Sequence, residues 1–189
     1  YLNIPVIHMQ GGEVTGSIDE KVRHAVTKLS DIHLVCTEQA YNRVINMGEN
    51  PNSVHLTGCP SLDIAKKVQQ SPKIDFNPFT KYRGVGTTFD ISEPYLIVMQ
   101  HPITTEHYDS NVQTLATLEA INNLGLPTFW FWPNPDAGSG GISKELRVFR
   151  EHNENNLIHF VRNMSPEDFL KMAANSACVV GNSSVAIRE

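Results

Sequence analysis

Five short segments of this chain gather polar side chains with glycine or proline, each directly after an apolar run. The first, HMQGGEVTGSIDE from His8 to Glu20, sets three carboxylates (Glu13, Asp19 and Glu20) behind the pair Gly11-Gly12. Paired glycines let backbone turn sharply or come close to a ligand. A chemical role for these carboxylates stands beside a plainer one, in which Asp19 and Glu20 favour the dipole at a helix N-terminus. The second, QHPITTE from Gln100 to Glu106, places His101 at the carboxyl end of a buried strand. Imidazole titrates near neutrality, which suits proton transfer or phosphate contact. A structural histidine bonded to a loop carbonyl is the alternative. The third, PNPDAGSGG from Pro133 to Gly141, offers Asn134 and Asp136 on a permissive loop. It reads equally as a turn with Asx capping, and it lacks the Gly-Lys-Ser/Thr element of a P-loop. The fourth is Asn163 to Ser165. The fifth, GNSS from Gly181 to Ser184, puts hydroxyls and free N–H groups at a helix start. That is a natural site for phosphate or diphosphate, although Asn or Ser as a simple cap explains it too.

The elements that position these segments alternate. Strands are predicted at 4–9, 33–36, 54–57, 95–99, 128–132, 157–161 and 178–180. Helices are predicted from Ser17, from Thr37 to Gly48, from about Ser110 to Asn123, from about Ser143 to His152 and from Ser165. Ser17 with Glu20 fits a capping box, and Ile18, Val22, Ala25, Val26 and Leu29 form one helical face. Ser165-Pro166 is a capped start with proline at the first helical position. This succession predicts an α/β fold of doubly wound parallel sheets, whose ligands bind beyond the carboxyl ends of the strands. All five polar segments fall there. Between about 70 and 93, Pro72, Pro78, Gly84, Gly86 and Pro94 interrupt the pattern and mark a connector. The expected organisation is residues 1–70, a connector over 71–93, and residues 94–189.

Composition narrows the classes. The 189 residues carry 15 Lys+Arg against 20 Asp+Glu, a formal charge of −5, which argues against non-specific nucleic-acid binding. No apolar stretch approaches the ~20 residues that cross a bilayer, so no membrane partner is expected. Cys36, Cys59 and Cys178 are scattered and odd in number, which disfavours a disulfide framework or a zinc site. They read as small buried hydrophobes in a reducing compartment, and a cytoplasmic location is expected. The chain opens in a strand and closes in the first turn of a helix, and it is expected to be an internal piece of a longer protein.

HMQGGEVTGSIDEKVRHAVTKLS, TGCPSLD, QHPITTE, PNPDAGSGGISK and GNSSVAIRE, in this order, resemble the UDP-N-acetylglucosamine 2-epimerase family. The HxxGGE and IDE wording is closer to its hydrolysing branch, which forms N-acetylmannosamine for sialic-acid-type sugars. The resemblance implies two Rossmann-like lobes of the GT-B type, each only partly present in this chain. Residues 1–70 would be the second half of the first lobe, and 94–189 the first half of a nucleotide-binding second lobe. It implies a UDP-sugar substrate held between the lobes, no metal or redox cofactor, a homo-oligomeric full-length protein, and an isolated chain without activity. By position it implies a catalytic carboxylate at Asp19 and a diphosphate-contacting His101. Asn134 would lie near the nucleotide, with Asp136 beside it, and Met164 would place its backbone near the uracil. Ser183 and Ser184 would bind the diphosphate, and Glu189 the ribose. Where many members have Glu in H-x-E-G-G, this chain has Gln10, which donates a hydrogen bond but is no base at neutral pH. Glu13, three residues on, is the candidate to take over that role. After Ser184 the chain reads Val185-Ala186 where the family often has Ser-Gly.

Overall fold

The computed structural model of the chain describes residues 4–15, 18–103, 109–135, 138–153 and 156–188. The chain divides into two compact units, Tyr1–Asp63 and Ile64–Glu189.

The first unit is built on three parallel strands, β1 (Ile7–Met9), β2 (Ile32–Val35) and β3 (Val54–Leu56), in the order β1-β2-β3. Helix α1 (Ile18–Lys28) links the first two strands and α2 (Glu38–Asn46) the second two. The Thr37 hydroxyl accepts a bond from the Ala40 N–H and fixes the start of α2. Gly48, at φ 92°, takes the left-handed turn beyond its end. Val35, Ala40, Val44 and Val54 form the buried core of this unit, with Tyr41 and Ile45 packed against it. Helix α3 (Pro60–Gln70) follows and runs on into the second unit.

The apolar face of helix α1 is exposed in the first unit: Ile18, Val22, Val26 and Leu29 keep 47%, 56%, 37% and 78% of their surface. The side that turns inward carries Thr27, fully buried, with Arg23 and His24 half-buried. These polar groups are satisfied locally: the Thr27 hydroxyl donates to the Arg23 carbonyl at 3.0 Å, and Arg23 reaches back to the loop after β1. Periodicity identifies an apolar stripe but not what lies opposite it.

The second unit carries five strands in the order β4-β7-β6-β5-β8: β4 (Val85–Gly86), β5 (Leu96–Met99), β6 (Thr128–Phe131), β7 (Ile158–Val161) and β8 (Cys178–Gly181). The four long strands are mutually parallel, and β4 pairs antiparallel with β7. Their runs LIVM, TFWF and IHFV are buried almost throughout, as expected for a parallel sheet covered on both faces. On one face α5 (Ser110–Leu124) and α6 (Ser139–His152) pack Leu118, Ile121, Ile142, Leu146 and Phe149 against Trp130 and Phe160. On the other, α7 (Pro166–Asn175) packs Met172 and Phe169 against Tyr95, Phe129 and Phe131. Gly125, at φ 62°, closes α5 as its left-handed cap. Helix α6 starts at Ser139, four residues before the predicted Ser143. Gly141 allows this, because a Cβ there would lie 2.1 Å from the Asn111 side chain.

The segment read as a connector carries structure. It holds α4 (Pro78–Lys81) and β4, and Ile74, Phe76, Phe79, Tyr82, Phe89 and Ile91 pack on the α7 side of the sheet. Phe79 stacks on Phe129 at 5.3 Å between ring centroids. Spaced aromatics bury large areas without a helical or strand period. A polar tie reinforces the packing. The Tyr82 hydroxyl donates to Asp168, Lys81 Nζ lies 2.5 Å from the same carboxylate, and the Ser165 N–H donates to the Tyr82 oxygen. The cysteine reading is corrected as well: Cys36 and Cys59 are half-buried and Cys178 is exposed.

Candidate functional site

In the second unit, taken from β5 onward, the parallel strands run 3-2-1-4 across the sheet. The chain first moves outward through β6 and β7, then crosses back to place β8 beside β5. Such a reversal opens a crevice at the carboxyl ends of β5 and β8, where doubly wound sheets bind ligands. His101 follows β5 at this point and Asn182-Ser183-Ser184 follow β8. The close approach of the two strand ends requires glycine. Gly181 sits at φ 142°, and a Cβ there would lie 2.0 Å from the Met99 carbonyl oxygen.

Asn182 locks the pair of loops. Its Oδ1 accepts from the His101 N–H at 2.8 Å, and its Nδ2 donates to the His101 carbonyl at 2.8 Å. The ring of His101 is oriented from the other side: the Asn134 N–H donates to its Nδ1 at 3.3 Å. A donor at Nδ1 makes that nitrogen the acceptor, so the neutral imidazole carries its proton on Nε2. The loops after β5, β6 and β8 thus converge on one histidine. Ser183 accepts weakly from the Val185 N–H at 3.5 Å, and the Ser184 carbonyl accepts the first bonds of α8 (Val185–Arg188). Met164, after β7, buries its side chain in the core beside Phe131 and Met172, and its N–H donates to Asn163 Oδ1 at 2.9 Å. Asp136 and Glu189 lie outside the described residues, as does Ser17 of the predicted capping box.

In the first unit the loop after β1 is held by several independent contacts. Gln10 sits at φ 60°, a left-handed conformation uncommon for a residue with a side chain. Its N–H bonds the Leu34 carbonyl at 2.9 Å and its amide lies 3.8 Å from Cys59 Sγ. Burial pushes the Cys59 thiol up, but the Leu62 and Ser61 N–H groups at the start of α3 outweigh it and leave the thiol below its ordinary range. Gly12, at φ 75°, passes so close to α2 that a Cβ would lie 2.5 Å from the Ala40 carbonyl. Arg43 donates to the Gly12 carbonyl from that helix. Arg23 donates to the Glu13 carbonyl at 3.2 Å and to the Thr15 hydroxyl at 3.3 Å, and the Thr15 N–H bonds Glu20 at 3.2 Å. Glu13 is half-buried in this loop, and Asp19 is exposed on the first turn of α1. His8 lies beneath. Because Thr27 spends its only proton on Arg23, the 3.2 Å contact of its oxygen with His8 Nδ1 makes the imidazole the donor. Burial, then the nearby His33 and Arg23, hold His8 below the usual histidine range.

The predicted residues thus fall into two groups. Gln10, Glu13 and Asp19 belong to the first unit; His101, Asn134, Met164, Ser183 and Ser184 stand at strand ends of the second. The sequence reading missed Asn182, Arg23 and Arg43 as positioning residues. Asn182 lies inside the flagged GNSS segment, so its only signal was an amide next to a tight glycine.

The model of the UDP-N-acetylglucosamine 2-epimerase family matches residues 1–189. The chain is 32% identical over 189 residues to a protein of Legionella pneumophila named UDP-N,N'-diacetylbacillosamine 2-epimerase (hydrolyzing), covering 100% of this chain and 48% of that protein. It is 34% identical over 184 residues to UDP-N-acetylglucosamine 2-epimerase of Neisseria meningitidis, covering 97% of this chain and 46% of that protein. Among solved structures it resembles the Methanocaldococcus jannaschii UDP-GlcNAc 2-epimerase in complex with UDP-GlcNAc and UDP. There the TM-score is 0.65 and the identity 17%, over 97% of this chain and 49% of that one. The N. meningitidis enzyme bound to UDP-GlcNAc gives a TM-score of 0.61 at 17% identity, over 95% and 48%. The fold is therefore the α/β architecture of these two-lobed, GT-B-type enzymes. The chain spans about half the length of the curated relatives it matches, and it belongs to the UDP-N-acetylglucosamine 2-epimerase family.

Proposed function

We propose that the whole protein is a hydrolysing 2-epimerase that converts UDP-N-acetylglucosamine and water into N-acetylmannosamine and UDP. The observation that carries this reading is the convergence of three loops on His101 at the strand reversal, next to the paired hydroxyls of Ser183 and Ser184. A diphosphate there would meet the Nε2–H of His101 and the two serines, and negative charge leaving the sugar would be stabilised where it develops. In this reading the second unit holds the nucleotide, through Asn134, Asp136, the Met164 backbone and Glu189. The first unit supplies the acid-base groups.

The chemistry follows from the substrate. The proton on C2 is weakly acidic, so the C1–O bond must loosen as it leaves. A carboxylate, Asp19 or Glu13, takes the C2 proton. The electrons of that C–H bond form C1=C2, and those of the C1–O bond depart with UDP. Water then adds its oxygen to C1 of the glycal while a proton returns to C2 from the opposite face. Asp19 and Glu13 share these transfers, and Gln10 donates a hydrogen bond to the substrate. The HxxGGE and IDE wording, with a hydrolysing relative matched over the full chain, favours water over returned UDP as the acceptor.

A second reading has its own support: that relative is named for a diacetylated diamino sugar nucleotide. The whole protein incubated with UDP-N-acetylglucosamine in deuterated water, followed by proton NMR, separates the cases. Free UDP with N-acetylmannosamine deuterated at C2 is expected, and Asp19→Asn lowers the rate by roughly a hundredfold or more. An equilibrium with UDP-N-acetylmannosamine would move the protein to the non-hydrolysing branch. No reaction there, but turnover of UDP-N,N'-diacetylbacillosamine, would establish the second reading. The isolated 189-residue chain is expected to be inactive in all these assays.

A further inference from the structure

Cys36 and Cys59 stand at the carboxyl ends of two neighbouring parallel strands. Cys36 directly follows β2, which pairs with β3 in the register Val35 to Leu56. The Thr57 N–H carries that pairing one step further by donating to the Val35 carbonyl at 2.9 Å. Gly58, at φ 80°, then turns the chain, and Cys59 directly precedes α3. Strand pairing thus brings together two thiols that lie apart in the sequence, and the Cys36 side chain hydrogen-bonds Cys59. Both are half-buried, so neither is sealed from a small solute. A disulfide needs two cysteines already facing one another, because its short S–S bond tolerates little backbone movement.

The surroundings make the two sulfurs unequal. Burial works against the Cys59 thiolate, yet the Leu62 and Ser61 N–H groups outweigh it and raise the thiolate fraction. Thiolate is the form that attacks a disulfide. The same sulfur lies 3.8 Å from the Gln10 amide, so its state bears on the loop after β1. Cys178 offers a contrast: it is exposed on β8 of the second unit.

We propose that Cys36 and Cys59 are a thiol-modification site, closing a reversible disulfide by exchange with a low-molecular-weight disulfide, with Cys59 attacking and Cys36 resolving. In the first step the Cys59 thiolate attacks one sulfur of the small disulfide, whose S–S bond breaks and releases one small thiolate. In the second, the Cys36 thiolate attacks the Cys59 sulfur of the mixed disulfide and expels the other. The two protein thiols lose two protons and two electrons, and the small disulfide is reduced to two thiols. Bridging draws the Cys59 sulfur toward Cys36 and removes one tie from Gln10. The inference rests on the thiols alone and does not depend on the reaction proposed above.

The whole protein, fully reduced, is incubated with oxidised glutathione, its remaining thiols are alkylated, and it is digested with trypsin. Arg43 lies between the two cysteines, so they fall on separate peptides and a bridge joins them. The joined peptide pair is expected from the monomer band of a non-reducing gel, and dithiothreitol is expected to abolish it. In Cys36→Ser the mixed disulfide is expected to accumulate on Cys59. In Cys59→Ser the adduct on Cys36 forms roughly tenfold more slowly or not at all. Circular dichroism confirms that both variants are folded, and the unsubstituted protein tests the bridge by itself. Recovery of both peptides alkylated, or of a glutathione adduct on Cys59 with no bridge in the unsubstituted protein, overturns the proposal. So does a bridge found only in disulfide-joined dimers. Equal adduct rates in the two variants overturn the assigned order of attack.

Discussion

The two units use a parallel sheet in opposite ways. In the second, the strands β5, β6 and β7 are buried almost residue for residue, and helices cover both faces. In the first, β1, β2 and β3 each carry a histidine at or near their middle, and the buried apolar core counts four residues among those described. There the tight features are polar: Arg23 and Arg43 hold the loop after β1, and His33 and Lys28 share Glu49 at 3.4 and 2.5 Å. Lys28 chiefly holds the Glu49 carboxyl below its usual range. One unit positions its candidate residues from a deep apolar base, the other from hydrogen bonds laid over a thin one.

Truncation of the two cores breaks or sharpens this contrast most. Phe129 is fully buried and touches Phe79, Phe89 and Tyr95. Phe129→Ala is expected to cost about 3–5 kcal/mol in urea unfolding. Val44→Ala, in the first unit, costs about 1.5–2 kcal/mol, from its lost methyl groups. Equal losses would show that the first core is no thinner than the second. Asn182→Ala removes two bonds to the His101 backbone, and calorimetry is expected to show UDP binding weakened by about tenfold. Unchanged affinity would mean that His101 is held by the sheet alone.

A smaller effect comes from pH. Burial raises the Asp168 carboxyl, but Lys81 and the Tyr82 and Ser165 hydroxyls outweigh it and leave it below its ordinary 3.8. A carboxyl lowered in the folded state stabilises above the unfolded value, and that stabilisation is lost as pH falls through the folded one. Asp168→Asn is therefore expected to cost about 1 kcal/mol at neutral pH, with the two unfolding curves converging below pH 3.8. A gap that persists in acid would assign the loss to packing instead. The smallest effect is expected on α1, where Val22→Ser shifts the melting of the 189-residue chain by less than about 0.5 kcal/mol. A larger loss would mean that this exposed stripe is covered.

Much of this was legible in the sequence where one local cause decides the outcome. The runs LIVM, TFWF and IHFV announce buried parallel strands, Gly125 ends its helix, and Ser165-Pro166 starts one. What was not legible depends on residues far apart in the chain. The inward side of α1 is set by polar groups on the loop after β1. The apolar side chains of 74–91 pack on residues of β5, β6 and β7 that come later in the chain. Asn182 meets His101 across 81 positions. Spacing rules see along one element; they do not see which strand ends a crossover brings together.

The two-residue strand β4 has a consequence for self-association. It lies antiparallel on the outer edge of β7, and His159 ties both its flanks by donating to Arg83 and facing the Thr87 carbonyl. A strand this short, preceded by Gly84 and ending in Gly86, both at positive φ, offers almost no template for a foreign strand. The sheet therefore has one blunted margin. Growth by backbone pairing past this end of the sheet, whether in folding or in misassembly, is blocked by a strand too short to pair with.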